Sequence, residues 1–303
     1  MAYFIVSIDA PKTDLCCRDG KLVAIDDKSS NIPLEDIGAI VVTSFSARIH
    51  SNLIIQASKH GVGMVICERF QPTSIVMPAQ RSADTLLTRR HLTLPDHIRS
   101  SLWTRTVAAK CSNQQRIASV AAPLARSTHS LNKASRAVSS RKEGGCAKLF
   151  WSSISAGLEI NGFSRGRKLG GLNDLLNYGY AVLLSCVLQN LYATGLDPTV
   201  GISHAIRERC APLAYDLMEP FRPWIDWRIF NWVKRQPKAD AFAVTGEYRR
   251  WITSSLTASL PCANGNNMIE KIQESAFGFK RAVLSRSIGR YKPWTLSDSK
   301  WAG

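Results

Sequence analysis

Two acids, Asp216 and Glu219, sit three residues apart in the otherwise apolar stretch LAYDLMEPF (213–221). On a helix that spacing sets both carboxylates on one face. Side by side they repel, and burying them is costly; a divalent cation removes both penalties. His204 stands twelve residues before Asp216, ahead of the turn implied by Pro212. A loop-to-helix approach would bring its ring to the same ion. A shell of carboxylates and imidazole suits Mn2+ and tolerates Mg2+, and with no Cys at zinc-ligand spacing, zinc suits it less. Arg207, Arg209, Arg222 and Arg228 surround the cluster. Acids holding a metal among arginines describe a phosphodiester site, where the metal polarises a phosphoryl oxygen and arginines hold phosphates. Plain structural readings stand beside this one. Asp216 or Asp226 would pair with Arg222, Glu219 would close a helix end, and His204 would sit satisfied in the core. Glu143 would simply favour the positive start of a helix.

The elements that must carry these residues are legible in outline. Short β-branched or apolar runs at 3–8, 21–25, 39–42, 64–67 and 75–77 predict strands. Asp19-Gly20 between 15–18 and 21–25 predicts a hairpin. Ile49, Leu53, Ile54 and Ala57 recur at helical spacing, which predicts one helix over 46–60 with Gly61 at its stop. After Pro78 the texture changes to long segments with a helical period, interrupted at Pro123. The chain therefore divides into a strand-rich unit, 1–80, and a larger helical unit, 81–303, with the boundary near 78–86. Residues 143–158 predict a helix with Cys146, Leu149, Phe150 and Ile154 on one face. Residues 161–171 form a Gly-rich basic loop carrying Arg165, Arg167 and Lys168, without a Walker or dinucleotide pattern. Residues 172–194 are apolar on most sides, as befits a helix inside a bundle. A further helix starts at Pro212 and is expected to stop before Pro220. The tail 292–303 reads as partly loose.

Composition bounds the possibilities. With 303 residues, 45% of them apolar, the chain is long enough for one large core or two smaller ones. Eight cysteines show no CxxC pair, and several lie in apolar runs, so a reducing compartment is expected. The opening MAYFIVSIDAPKTD has no basic stretch before its apolar run, and the longest apolar run, near 180–188, is too short for a membrane span. A cytoplasmic protein without a membrane partner is the expectation. The net charge of +16 is uneven. Residues 1–80 hold 7 basic against 8 acidic side chains, 81–142 hold 12 against 2, and 143–303 hold 20 against 13. A near-neutral first unit and a basic remainder suit a protein whose helical part faces a polyanion.

At the acid cluster the sequence resembles a known family. Segments 172–183 (LNDLLNYGYAVL), 195–204 (GLDPTVGISH) and 213–223 (LAYDLMEPFRP) are similar to successive signatures of the CRISPR-associated integrase, the first of the Cas adaptation proteins ("Cas one"). Residues 143–150 (EGGCAKLF), Trp103 with Asn113-Gln114, IPLEDIGAIVV and the His60-Gly61-Val62 turn also fit. Length and the DLMEPFRP string most resemble the type II systems. The resemblance implies an α+β fold, with an N-terminal β-sandwich dimerisation domain followed by a larger all-helical catalytic domain. It implies metal ligands Glu143, His204 and Glu219, with Asp216 as an additional acid, and Mg2+ or Mn2+ as cofactor. Nucleic-acid contacts would fall to Arg207, Arg209, Arg222, Arg165, Arg167 and Lys168. The implied activity is insertion of short DNA fragments into a repeat array by 3′-hydroxyl attack on a phosphodiester. The implied partners are DNA, a second copy of the chain, and the small protein "Cas two". A non-catalytic nucleic-acid scaffold and a transposon-type integrase of the same superfamily are the alternatives.

Overall fold

A computed structural model describes residues 4–25, 30–68, 70–78, 85–137, 143–166, 169–204, 211–237, 241–260 and 267–296. The first part comprises β1 (Phe4–Ile8), β2 (Asp14–Arg18), β3 (Lys21–Ile25), β4 (Ser30–Pro33), β5 (Ile37–Val42), β6 (Arg48–Ile49), helix α1 (Ser51–Lys59), β7 (Met64–Glu68) and β8 (Gln71–Val76). Two four-stranded sheets result, ordered β1-β5-β7-β8 and β4-β3-β2-β6. In the first sheet β1, β5 and β7 run parallel and β8 is antiparallel. The expected hairpin forms between β2 and β3, with positive φ at both Asp19 (49°) and Gly20 (71°), as that turn requires.

All six residues of β5 are buried. A strand covered on both faces needs a continuous apolar run rather than an alternating one. One face, with Ile40 and Val42, joins Leu15, Leu22, Leu53 and Met64 between the sheets and α1. The other, with Ala39 and Val41, joins Val65, Cys67 and the helical core.

The helices are α2 (Thr85–Leu92), α3 (Asp96–Ala121), α4 (Arg126–Ala134), α5 (Glu143–Leu158), α6 (Leu172–Thr194), α7 (Pro212–Met218), α8 (Arg222–Arg235), α9 (Gly246–Thr257) and α10 (Met268–Ser285). The buried helix α6 lies at their centre and meets β5, α7, α8 and α10. Gly179 lets α8 approach it closely: a Cβ there would lie 2.7 Å from Ile225 Cγ2. Gly195, at φ 76°, ends α6 in the left-handed conformation.

One expectation is corrected and two others gain detail. The first helix begins at Ser51, not residue 46, because Arg48 and Ile49 pair with Asp14 and Leu15 as β6. The helix from Pro212 stops before Pro220, as expected, with Met218 its last residue and Glu219 in the next turn. A 3-10 turn (Glu219–Phe221) follows α7 and leads into α8, with Pro220 and Pro223 in the first turns of successive segments, where a missing N–H costs little. The tail is described through residue 296. Tyr291 and Leu296 are buried, and Trp294 stacks on Phe221 with centroids 5.5 Å apart. Residues 297–303 lie outside the described residues.

Candidate active site

Asp216 is fully buried on α7, yet it is not turned towards Glu219. Its Oδ2 accepts the backbone N–H groups of Ile202 (2.5 Å) and Ser203 (3.0 Å). Its Oδ1 accepts the N–H of His204 (3.3 Å) and pairs with His204 Nδ1 at 2.7 Å. The carboxylate therefore shapes the loop that delivers His204. The hydrogen bond to Asp216 is the main cause that raises His204 above the usual imidazole range. The ring stands edge-on to Trp103, centroids 6.1 Å apart. Arg99 Nη1 donates to the carbonyl of Gly201 (2.7 Å). That glycine is obligatory, since a Cβ would fall 2.4 Å from the His204 carbonyl oxygen.

Glu219, in the turn after α7, converges instead with Glu143, the first residue of α5. Lys110 of α3 lies between them, its Nζ 2.5 Å from Glu143 Oε1 and 2.6 Å from Glu219 Oε2. Arg222 Nη1 adds a contact of 3.1 Å to Glu219 Oε1. Burial opposes ionisation of Glu219, but Arg222 and Lys110 outweigh it and hold the carboxyl below its ordinary range. The expected partner of Arg222, Asp216 or Asp226, is thus corrected to Glu219. The carboxylate of Asp226 accepts the hydroxyl of Tyr180 at 2.5 Å, and burial pushes its pKa up to about 7.

Beside Glu219 opens a cleft of about 110 Å3 lined by Arg165, Arg222, Asn177, Tyr180, Tyr215 and Met218, with Gln71 and Pro72 of β8 at one side. Arg165 donates to Asn173 Oδ1 (3.0 Å) and Asn177 Oδ1 (2.9 Å). Both guanidiniums face the Tyr180 ring, at 5.5 Å for Arg165 and 4.8 Å for Arg222. Two cations held this way present positive charge to a ligand in the cleft. Arg167, Lys168, Arg207 and Arg209 lie outside the described residues.

The structure thus joins Glu143 to Glu219 through Lys110, and His204 to Asp216. Sequence reasoning missed Lys110, whose one outward sign is a lysine flanked by the buried positions Val107 and Cys111 of α3. Among the described residues, no three acidic, His or Cys side chains stand close enough to hold an ion as they are. The donor set nevertheless fits a hard divalent cation. Two carboxylate oxygens face one positive charge, Glu219 Oε2 is buried, and Asp216 engages Nδ1 of His204, so that Nε2 is the ring nitrogen that would ligate an ion.

The chain matches the family described as CRISPR associated protein Cas1 over residues 6–259. Among curated proteins it is similar to a CRISPR-associated endonuclease Cas1 of Neisseria meningitidis serogroup C (strain 8013), 27% identical over 217 residues that make up 69% of each chain. It is also similar to a CRISPR-associated endonuclease Cas1 of Francisella tularensis subsp. novicida (strain U112), 24% identical over 73% of this chain and 76% of that one. The fold is shared with a CAS1 protein from Thermotoga maritima, at a TM-score of 0.77 and 16% identity over 97% of this chain and 100% of that one. It is shared equally with a casposase bound to integration product, at a TM-score of 0.77 and 16% identity over 97% and 96%. A family match across most of the length, over a β-then-helical fold, leads to one conclusion. The chain belongs to the Cas1 family of CRISPR-associated proteins.

Proposed function

We infer that the protein is a metal-dependent DNA integrase and endonuclease that inserts short DNA fragments into a CRISPR repeat array. The observation that carries this reading is the convergence of Glu143 and Glu219 on one positive charge, at 2.5 and 2.6 Å. Similar proteins named endonucleases, and a similarly folded casposase titled as bound to integration product, support it. Glu143, Glu219 and His204 would hold Mg2+ or Mn2+, which supplies Lewis-acid polarisation of the scissile phosphate. Asp216 orients the His204 ring and leaves Nε2 free to ligate. Arg222 and Arg165 line the adjoining cleft and offset charge that grows on the phosphoryl oxygens as the 3′-hydroxyl of a fragment attacks. No side chain forms a bond to the DNA, so the site works by placement and charge.

The partners follow from the same reading. The basic helical part takes DNA, and the near-neutral β part, which exposes Phe45 (78%) and Ile55 (53%), pairs with a second copy. The small protein Cas two joins the assembly; a structure of similar fold is titled as a Cas6-RT-Cas1–Cas2 complex. Among the described residues no helix is long and apolar enough to cross a membrane. The test is strand transfer of a labelled duplex into a supercoiled repeat-bearing plasmid, with and without Mn2+ and Cas two. Glu143→Ala, His204→Ala and Glu219→Ala should each abolish transfer in folded protein. Full activity of the Glu219→Ala protein would refute the assignment.

A further inference from the structure

Lys110 is 8% exposed, and its ammonium touches both acids on which the proposed chemistry depends. The contact to Glu219 Oε2, at 2.6 Å, is as close as that to Glu143 Oε1, at 2.5 Å, so one ammonium serves both carboxylates. Arg222 completes the balance, so two glutamates face two cations. An ion placed between the same two oxygens would coincide with Nζ, and the like charges exclude joint occupancy. A lysine can leave such a position, because its charge rides on a flexible four-carbon stem.

The geometry points to Lys110 as a resident counter-cation. It holds Glu143 and Glu219 together in the metal-free protein and must be expelled when a divalent ion enters, which weakens the site's affinity for that ion. This inference rests on the reading of Glu143 and Glu219 as metal ligands. Burial disfavours the charge of Lys110, but Glu219 and Glu143 more than restore it, in keeping with a permanent cation. Lys110 is thereby a positioning residue whose effect is opposite in the two states: it stabilises the empty site and competes with the filled one.

The test is Mn2+ titration by calorimetry, with thermal melts in chelator, on the wild type, Lys110→Met and Glu219→Gln proteins. Lys110→Met should melt about 5 °C lower without metal and bind Mn2+ at least tenfold more tightly. Glu219→Gln should bind it at least tenfold more weakly. Unchanged or weaker affinity in Lys110→Met, with wild-type binding intact, overturns the inference and leaves the metal reading standing. A wild type that binds no Mn2+ overturns both. Should Lys110→Met fail to fold, reductive methylation of the wild type read by mass spectrometry decides the matter. Mn2+ should raise labelling of Lys110 severalfold while exposed Lys59 stays constant. Equal labelling of Lys110 with and without Mn2+ overturns the inference.

Discussion

Asp216 and Asp226 are buried acids ten residues apart, and their environments make opposite demands. Around Asp216 three N–H groups and the His204 ring need an acceptor on both oxygens. Asp216→Asn would turn an NH2 towards donors or leave them unpaired, at about 1–3 kcal/mol per buried group. It should lower the melting temperature and, by releasing the His204 ring, cut Mn2+ affinity or strand transfer by roughly 10–100-fold; wild-type values for both would refute the role. Asp226 is the reverse. Burial raises its pKa from 3.8 to about 7, against the pull of Tyr180 and Arg165. The folded chain keeps a proton that the unfolded chain releases, so stability falls as pH climbs from about 4 to about 7 and then levels. Asp226→Asn cannot ionise. It should match the wild type near pH 4 and exceed it near pH 8 by about 2–4 kcal/mol. Denaturant melts across that range check the sign, and a constant difference between the two proteins would contradict it.

At the scale of elements, Asn113 of α3 ties three segments together. Its Nδ2 donates to the carbonyls of Pro220 (2.7 Å) and Trp294 (3.3 Å), and its Oδ1 accepts the N–H of Leu296 (2.8 Å). Asn113→Leu strands these buried groups and should cost about 3 kcal/mol. It should also loosen the Glu219 turn, seen as lost strand transfer at temperatures where the variant is still folded. Elements set by local pattern were legible in the sequence. The helices 143–158 and 172–194 match α5 and α6 residue for residue, the second because Gly195 can adopt the left-handed stop. Elements set by partners were not. The two-residue strand β6 exists through pairing with β2, and the turn at Pro220 through the carbonyl acceptor it offers Asn113. The site shows the same division. Spacing drew attention to Asp216, Glu219 and His204, while Glu143 joined them through the family resemblance. Spacing was blind to Lys110, whose partners lie 33 and 109 positions away, and it set Asp216 beside Glu219 when the loop at 202–204 claims both its oxygens.

Over the whole molecule, β5 contributes to both apolar clusters and so joins the strand-rich part to the helical one. The outward face of β5 lies on α6, Tyr178 donates its hydroxyl to Ser7 Oγ at 2.9 Å, and Arg249 of α9 pairs with Asp9. The full chain should therefore melt in a single calorimetric transition, with calorimetric and van't Hoff enthalpies equal. Two resolved transitions would mean that the parts fold separately. The clasp at Asn113 also has a consequence in time. A chain grows from its first residue to its last, so α3 emerges long before the segment 291–296 that Asn113 must bind. During synthesis the carbonyl of Pro220 has its side-chain donor in place, but that donor lacks its second anchor. The acid cluster is left on an unfinished hinge until residue 296 is free to fold back. A nascent chain that has not yet reached residue 296 carries every acid of the site and still lacks the two contacts this segment makes with Asn113.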